Sequence, residues 1–313
     1  MRNTARSRSI CSMLRDAVRS PAMVLTVAAA GLSALVGCNG RGQLSSERRD
    51  ASQVAGSASP IRVLVVTATQ GFRHTEAIDV SKAALKQAEQ STELRFDFTE
   101  DPTALTADNL KKYDVLFLNN STLRIAPTNP NDSASLAAVH AGPRSAPVAN
   151  PITPEQQRAI ADFVRSGKGL AAVHSGVDAF YGWPEYRDIV GGGLFQSHPF
   201  TRMARVRVED PKNPVVAHFG PAASFREEYY YLDVNPRPNA HVLMSLDLAS
   251  VGDTSGTDHP LVFIKRYGEG RVYVNVLGHF GDTWRRQDYL FSILQGLRLA
   301  AGRLPADFTP TPR

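Results

Sequence analysis

The chain has 313 residues, and its 35 basic and 30 acidic side chains give a formal charge of +5. Five arginines but only one acidic residue lie in residues 1–37, so the remainder carries 30 basic and 29 acidic side chains. This near-neutral remainder, without a stripe of basic and aromatic residues, gives no argument for nucleic-acid binding, and no nucleic-acid partner is expected. The only cysteines are Cys11 and Cys38, which excludes a thiol nucleophile, a disulfide or cysteine-ligated zinc from residues 39–313.

The N-terminal segment is typical of an export signal. Its arginines precede an apolar stretch, 21–36, that is too short and too rich in Ala and Gly for a good membrane-spanning helix. The stretch ends in LVGC at 35–38, which resembles a bacterial lipobox. We therefore expect residues 1–37 to be a lipoprotein signal peptide and Cys38 to carry a lipid that anchors the chain to the membrane. The alternative is a plain signal peptide with an incidental cysteine.

Residues 38–60 are rich in Gly, Ser, Ala and Arg without an apolar period, which predicts a flexible membrane tether. Asn39, where an inner-membrane retention signal would have Asp, favours the periplasmic side of the outer membrane. A folded domain is predicted over 61–304, with a tail at 305–313. Within the domain, residues 124–151 are rich in Pro, Ala, Ser and Asn and are predicted to be a loop insertion, with a lid as the alternative.

The first half of the domain alternates strands with helices. A helix is predicted to begin with Thr153 as its N-cap and Pro154 at its first position, and to stop at Gly167. This alternation of helices with almost continuously apolar strands predicts an α/β fold, with a mostly parallel sheet covered by helices on both faces. The predicted strands are 61–67, 94–99, 113–119 and 169–173, and a further helix is predicted over 75–90.

The second half is richer in strands. Glycines in the sequence YGEG at 267–270 predict a hairpin turn. An apolar-periodic helix is predicted to close the domain at 288–301. The predicted strands are 203–209, 225–234, 242–246, 261–266 and 272–276.

Three histidines directly follow predicted strands: His74, His174 and His279. Ligands of parallel sheets bind beyond the carboxyl ends of the strands, so these positions predict a shared site. One such histidine alone is more often an ordinary loop residue, and the coincidence at three strand ends favours a site. Imidazoles serve as bases near neutral pH or as metal ligands.

Other candidates lie near these loops. The carboxylates are Asp178 and Glu228, and either could serve as an acid or base, although Glu228 could also lie on a solvated strand edge. A histidine cluster with a carboxylate suits a divalent metal such as zinc. The same cluster also suits metal-free sugar binding, with a sugar ring packed on an aromatic side chain. The remaining candidates, all for substrate binding, are Arg73, His74, His198, Trp183 and Tyr230.

The chain from Ile61 to about Gly302 resembles the ThuA-like (trehalose-utilisation) family of the class I glutamine amidotransferase-like superfamily. The matching segments are TQGFRH at 69–74, GKGLAAVHSG at 167–176 followed by Asp178, WPEY at 183–186, GGLFQSHP at 192–199, EEYY at 227–230 and GRVYVNVLGH at 270–279.

This resemblance implies a flavodoxin-like fold with a nucleophile elbow after the fourth strand. The superfamily places a cysteine there, whereas this chain has His174, so glutamine amidotransferase activity is not expected. Ser175 is offset from the elbow by one position. The chain also departs from the family at its long insertion and at Glu227, where the usual pattern has Asp.

The resemblance further implies sugar chemistry. We expect an enzyme that cleaves glycosides or keto-sugars by hydrolysis or elimination, with His174, Glu228 and Asp178 as catalytic residues. A divalent metal would be held by His174 and His279. The alternatives are a lipoprotein that binds a saccharide without converting it, and an envelope interaction protein with an inactive site. The expected partners are a small saccharide and, through the lipid, the membrane.

Overall fold

The computed structural model describes residues 59–126 and 149–313. The predicted signal peptide, Cys38, most of the tether and the central part of the insertion lie outside the described residues. All described residues belong to one compact unit, 56–313. None of the helices in the described ranges has the length and apolar character that a bilayer span requires.

The described chain contains eleven strands and six α-helices. The strands are β1 (Ile61–Val66), β2 (Leu94–Thr99), β3 (Val115–Asn119), β4 (Gly169–Val173), β5 (Phe195–Ser197), β6 (Thr201–Val208), β7 (Ala222–Glu228), β8 (Tyr231–Leu232), β9 (His241–Leu246), β10 (Pro260–Tyr267) and β11 (Gly270–Asn275). The helices are α1 (Thr75–Ala88), α2 (Ala107–Leu110), α3 (Pro154–Arg165), α4 (Pro184–Ile189), α5 (Gly281–Arg285) and α6 (Gln287–Ala300).

Nine of the strands form one sheet in the order β2-β1-β3-β4-β11-β10-β9-β6-β7. The first five run parallel to one another. The last four extend the sheet through antiparallel pairs. Strands β3 and β4 are buried at every position, which explains their continuous apolar sequences. The predicted α/β class is confirmed, and the strand-rich second half is an antiparallel extension of the same sheet.

Helices cover both faces of the parallel strands, as predicted. A Cβ atom on Gly169 would lie 2.5 Å from the Ala300 oxygen of α6, whereas one on Gly270 would lie 2.0 Å from the Val164 oxygen of α3. Gly169 pairs with Arg271, so the two residues share a face, and Gly270 points to the opposite face. Helices α6 and α3 therefore pack on opposite sides of β4 and β11, and these glycines allow the close approach.

Local sequence signals set the start of α3 and the β10–β11 hairpin, as predicted. The Thr153 hydroxyl accepts the Gln156 N–H at 3.3 Å, and the Gln156 side chain accepts the Thr153 N–H at 3.0 Å. Such a cap stabilises a helix by about 1 kcal/mol. In the hairpin, Tyr267 pairs with Gly270 across a two-residue turn.

The predicted continuous strand over 225–234 is wrong. Strand β7 ends at Glu228, and the chain then enters β8, which pairs with β5 in a separate two-stranded sheet. Tyr229 causes much of the break, because its buried ring turns inward and its hydroxyl donates to the Phe225 carbonyl at 2.8 Å. This break leaves Glu228 at a strand end, where its side chain can join residues from the parallel half.

Candidate metal centre and pocket

The three predicted histidines lie at the carboxyl ends of three parallel strands. His174 directly follows β4, His279 lies four residues after β11, and His74 is the N-cap of α1 in the segment after β1. Because the carboxyl ends of parallel strands meet at one edge of the sheet, these side chains converge. The structure therefore brings together residues that are far apart in the sequence.

The backbone at His174, directly after β4, is strained. Its φ of 49° makes it one of four non-glycine residues with a positive φ in the described ranges. Such a conformation costs on the order of 1 kcal/mol or more and persists where the surroundings hold it. Gly176 permits the turn, because a Cβ atom there would lie 2.7 Å from the Leu118 oxygen.

Four possible ligand atoms converge at this edge. The Nε2 atom of His174 lies 3.2 Å from Nε2 of His74 and 3.1 Å from Nδ1 of His279. The Oε2 atom of Glu228 lies 3.0 Å from Nδ1 of His279 and 3.5 Å from Nε2 of His174. All four ligand atoms lie within 4.8 Å of one another. We call His74, His174, His279 and Glu228 the histidine–glutamate cluster.

The outer nitrogens of two histidines have protein partners. Nδ1 of His174 lies 3.0 Å from the Val276 carbonyl, which can only accept, so Nδ1 carries the proton and Nε2 presents a lone pair. Nδ1 of His74 lies 3.4 Å from the Ser175 hydroxyl, which can accept its proton in the same way. Outer hydrogen bonds of this kind orient the histidine ligands of metal sites.

The cluster combines an uncharged histidine with a charged carboxylate. Complete burial lowers the pKa of His174 and so favours its neutral form. Partial burial acts to raise the pKa of Glu228, but its contacts with the ring nitrogens of His174 and His279 outweigh burial and hold the pKa well below its ordinary value. Glu228 is therefore ionised near neutral pH, and the inner nitrogen of His174 is free to act as a ligand.

The geometry of the cluster fits a tetrahedral divalent ion such as zinc. At metal–nitrogen distances of about 2.0–2.1 Å, ligand atoms at the corners of a tetrahedron lie about 3.3–3.4 Å apart. The separations that involve His174 Nε2 are 3.1, 3.2 and 3.5 Å, and every pair of ligand atoms lies within 4.8 Å. Three imidazoles and one carboxylate are also ligands that zinc accepts. These four side chains could thus hold an ion with only small movements.

Glu227 stabilises the loop that carries His279, a member of the cluster. Its carboxylate accepts the backbone N–H groups of Gly278 and His279, each at 3.1 Å, and the hydroxyl of Thr283. Burial raises the pKa of Glu227 to about 7, although these three donors oppose the shift. Consecutive strand residues point to opposite sides, so Glu228 faces the pocket while Glu227 holds the loop that carries His279.

The cluster opens into a cavity of about 610 Å³. Tyr230 forms one wall, with its ring centroid 4.1 Å from that of His174. At another part of the pocket, the buried Arg124 lies 3.7 Å from the carboxylate of Asp178 and donates to its carbonyl at 3.0 Å. The lining residues are Phe72, His74, Arg124, Asp178, Phe195, Gln196, Ser197, His198, Glu228, Tyr230 and His279.

Most of the predicted site residues meet in or beside this pocket. His198, which is about half exposed, lies at its rim with Nδ1 3.3 Å from Oε1 of Glu228. Asp178 and Tyr230 line the same pocket together with three members of the histidine–glutamate cluster. The fourth member, His174, lies behind them against the ring of Tyr230.

Arg73 and Trp183 do not line the pocket, although the sequence predicts that both bind substrate. Arg73 forms an ion pair with Glu100 at 2.8 Å, which directs it away from its neighbour His74. Trp183 is buried and stacks on Tyr186, with ring centroids 5.7 Å apart. In both cases a strong local partner determines where the side chain lies.

Five lining residues were not predicted as site residues: Phe72, Arg124, Phe195, Gln196 and Ser197. Arg124 falls within the segment predicted as an insertion, where it could not be told from a surface residue. Phe72 is 46% exposed at the pocket. In the sequence, the one signal for Phe72 as a site residue is its position two residues before His74. An isolated phenylalanine in a polar loop does not by itself indicate a function.

Comparisons with known proteins agree with this architecture. The family model ThuA, described as trehalose utilisation, matches residues 62–300. A structure described as ThuA-like from Bacteroides uniformis has a TM-score of 0.61 at 17% identity and covers 79% of this chain and 94% of its own. Another from Parabacteroides merdae has a TM-score of 0.55 at 22% identity, with 80% and 95% covered. These likenesses show a shared fold. No curated protein matches the chain.

Proposed function

Because this chain belongs to the ThuA family, which is described by trehalose utilisation, we propose that it is a cell-envelope enzyme that cleaves glycosides or keto-sugars. The observation that carries the proposal is the convergence of the histidine–glutamate cluster on a single pocket of sugar size. A cavity of about 610 Å³ lies within the usual range for small-molecule sites. The cofactor proposed is a divalent metal such as zinc.

The cluster residues would hold the ion. When bound, a divalent ion that also has room for a carbonyl or hydroxyl oxygen of the sugar beside its protein ligands would supply Lewis-acid chemistry at that oxygen. The Val276 carbonyl keeps His174 in the tautomer that such binding needs, and Glu227 keeps the His279 loop in place. The negative charge of Glu228 balances part of the charge of the ion.

The rest of the pocket suits a sugar. Tyr230, Phe72 and Phe195 provide apolar surface for the face of a ring. Arg124 donates hydrogen bonds and Asp178 accepts them, so together they can bind neighbouring hydroxyl groups. This combination of apolar walls and a few polar groups is typical of small-ligand sites.

Proton transfer is assigned to Asp178 and to the Glu228–His198 pair. In a 3-keto-glycoside, the keto group acidifies the neighbouring C2–H bond. Asp178 removes that proton, the electron pair forms the C1–C2 double bond, and the bond from C1 to the glycosidic oxygen breaks. His198, which is half exposed and bonded to Glu228, delivers a proton from solvent to the departing oxygen.

Two other chemistries fit the site less well. A glutamine amidotransferase needs a cysteine nucleophile, and residues 62–300 contain no cysteine. A glycosidase with two carboxylates needs one with a raised pKa to act as the acid. Glu228 has a lowered pKa because its histidine partners stabilise the charged form, and Glu227, whose pKa is raised, holds the His279 loop and does not line the pocket. A histidine-rich, metal-assisted cleavage is therefore the function that the geometry supports best.

The experiment compares the chain from Asn39 onward with two histidine variants. Metal content is measured by mass spectrometry, and turnover is measured on a panel of glycosides and their 3-keto forms. We expect about one divalent ion per chain and turnover of at least one keto-sugar, both lost in His174→Ala. His218→Ala is the matched control, because His218 is exposed and bonded to the Asp288 carbonyl away from the pocket.

Other results would contradict the proposal. An unchanged keto-sugar turnover in His174→Ala would exclude a catalytic role for the cluster. Tight binding of an unmodified sugar without products would instead indicate a saccharide-binding lipoprotein. A metal-free chain that still turns over the panel would remove the cofactor from the mechanism and leave the proton-transfer residues.

Attachment to the membrane is proposed from the lipobox-like segment at 35–38. Cys38 would carry the lipid after removal of residues 1–37, on the periplasmic side of the outer membrane. We expect the full chain expressed in bacteria to fractionate with membranes and to show an acylated N-terminal cysteine by mass spectrometry. Cys38→Ser should abolish that acylation, and its persistence would contradict the assignment.

A further inference from the structure

A groove with three arginines lies at the opposite end of the parallel strands from the pocket. Arg271 lies at the start of β11, whereas His279 follows the end of that strand. The groove has a volume of about 440 Å³, and its arginines are Arg266, Arg271 and Arg303. We call these three residues the arginine groove. Strand β11, which separates the groove from the pocket, is about 20 Å long.

The positive charge of this groove is only partly offset by nearby carboxylates: Glu269 acts on Arg271, and Glu93 and Asp114 interact with Arg303. Arg266 and Arg271 lie directly opposite each other on β10 and β11, an arrangement that destabilises a sheet when the charges are alike. Burial and the charge of Arg266 both lower the pKa of Arg271, and the charge of Glu269 opposes them in part. Over residues 59–126 and 149–313, none of the three guanidinium groups lies within ion-pair distance of a carboxylate.

Two carboxylates near the groove are already paired with other residues. Asp114 forms an ion pair with Lys168 at 2.8 Å, and Glu93 binds Arg298 through two hydrogen bonds. Glu269 contributes its main-chain carbonyl, which accepts from Arg266 at 3.3 Å. The groove therefore keeps an excess of cationic donors that can bind an external anion.

The chain enters the domain at this groove. Nη2 of Arg303 donates to the carbonyl of Ser59, the first described residue, at 3.1 Å. The segment that leads from Cys38 to the domain thus joins it beside the three arginines. From Cys38 to Ser59 the sequence has 22 residues, and a flexible tether of that length, as the composition predicts, would have a root-mean-square reach of about 25 Å. A lipid at Cys38 would hold the groove within reach of the membrane surface.

We propose that the arginine groove docks on anionic lipid headgroups, so that this end of the sheet faces the membrane and the pocket faces away from it. Guanidinium groups bind phosphate oxygens through paired N–H donors, which suits a phospholipid headgroup. Cationic side chains near an anionic membrane surface also gain from its potential. The inference rests on the proposed anchor at Cys38 and is independent of the chemistry in the pocket.

The test measures binding of the chain from Asn39, which has no lipid, to vesicles. All described strands and helices lie within 59–313, so this chain keeps the whole described core. Co-sedimentation is compared for neutral phosphatidylcholine vesicles and for vesicles with roughly one-third phosphatidylglycerol. We expect the chain to bind the anionic vesicles more tightly than the neutral ones. Arg266→Gln/Arg303→Gln should weaken binding to the anionic vesicles about 25-fold, since each arginine near such a surface strengthens binding about fivefold.

The matched control is Arg202→Gln/Arg207→Gln, which removes the same charge from exposed positions on β6. It should bind like the unchanged chain, and Arg266→Lys/Arg303→Lys should keep most of the binding because it keeps the charge. Equal losses in both glutamine pairs, or equal binding to neutral vesicles, would overturn the proposal. So would saturable binding of inorganic phosphate without vesicle binding, which would assign the groove to a free anion. Metal content and turnover, unaffected by these variants, report separately on the pocket.

Discussion

The two halves of the central sheet use buried polar side chains in different ways. In the parallel half, histidines at the strand ends point their inner nitrogens at one another and at the single carboxylate of Glu228. In the antiparallel half, the buried Arg237 is fully paired, with two hydrogen bonds to Glu209 and two to Asp258. The first arrangement leaves ligand atoms available, whereas the second uses its donors and acceptors within the fold.

This difference separates function from stability within one sheet. A buried polar group that keeps an unshared lone pair costs stability and is retained where it binds something. A buried ion pair with complete hydrogen bonding stabilises the fold and leaves no atom available to bind a ligand. We therefore expect changes in the parallel half to affect the metal and the substrate, and changes in the antiparallel half to affect unfolding.

The largest effect on stability is expected from Arg237→Met. The substitution keeps much of the side-chain volume but removes the buried partner of two partly buried carboxylates, Glu209 and Asp258, and leaves them only the more exposed Arg313. The free energy of unfolding should fall by about 3 kcal/mol, measured by urea denaturation. Metal content should remain that of the unchanged chain. An Arg237→Met chain that loses the ion while keeping its stability would contradict the assignment of function to the parallel half and of stability to the antiparallel half.

Glu227→Gln is expected to have a smaller effect, on metal affinity, and it tests whether the antiparallel half positions the cluster. The amide NH2 group would face one of the two backbone N–H groups that now donate to the carboxylate, so the His279 loop would shift. We expect metal affinity to fall about tenfold, as for other residues that position a ligand.

The control for Glu227→Gln is Thr283→Val, which removes one donor to the same carboxylate but leaves both backbone contacts. It should weaken metal binding less than Glu227→Gln does. Metal affinity is measured by competition with a chromogenic chelator, and helical content by circular dichroism. Unchanged affinity in Glu227→Gln would show that the antiparallel half does not position the cluster.

The smallest effect on the free energy of unfolding is expected from the Glu93–Arg298 ion pair, which lies near the surface at the far end of the parallel half. Hydrogen bonds from Arg298 lower the pKa of Glu93 from 4.5 to about 2, although burial opposes them. Because the folded pKa is lowered, the pair stabilises the fold fully above pH 4.5 and loses this contribution as the pH falls towards 2. After allowance for solvent screening, the contribution is about 0.5–1 kcal/mol.

Glu93→Gln should therefore be less stable than the unchanged chain at pH 7 and nearly equal to it at about pH 2. Unfolding is followed by fluorescence in urea at several pH values. Glu155→Gln is the control, because the Glu155–Arg158 pair is far more exposed and should contribute less at any pH. A difference that persists unchanged at low pH would contradict the assigned ion pair.

Much of the fold could be predicted from the sequence because its signals are local. The apolar run at 61–66, the capping box at Thr153 and the two-residue turn after Tyr267 each act within a few residues. Local signals also place His174 and His279 after strands, and the rule for parallel sheets then brings them to one edge. The histidines of the cluster were predictable for this reason.

The remaining features depended on contacts between distant segments. The break after β7, which brings Glu228 to His279, depends on the packing of Tyr229 and on the loop that Glu227 holds. No pattern near Glu228 indicates which strand end it will meet. The same reason explains why Arg73 pairs with Glu100 instead of lining the pocket.

The sequence by itself determined the α/β alternation, the starts of the main helix and hairpin, and the three strand ends that carry histidine. Periodicity, capping and turn formation are properties of neighbouring residues, and these were enough. Only the tertiary structure decided that Glu228 completes the cluster, that Arg124 lines the pocket and that three arginines gather at the other end of the strands. Each of these depends on which distant partner a side chain meets, and the burial and charge of that partner are set by the whole fold.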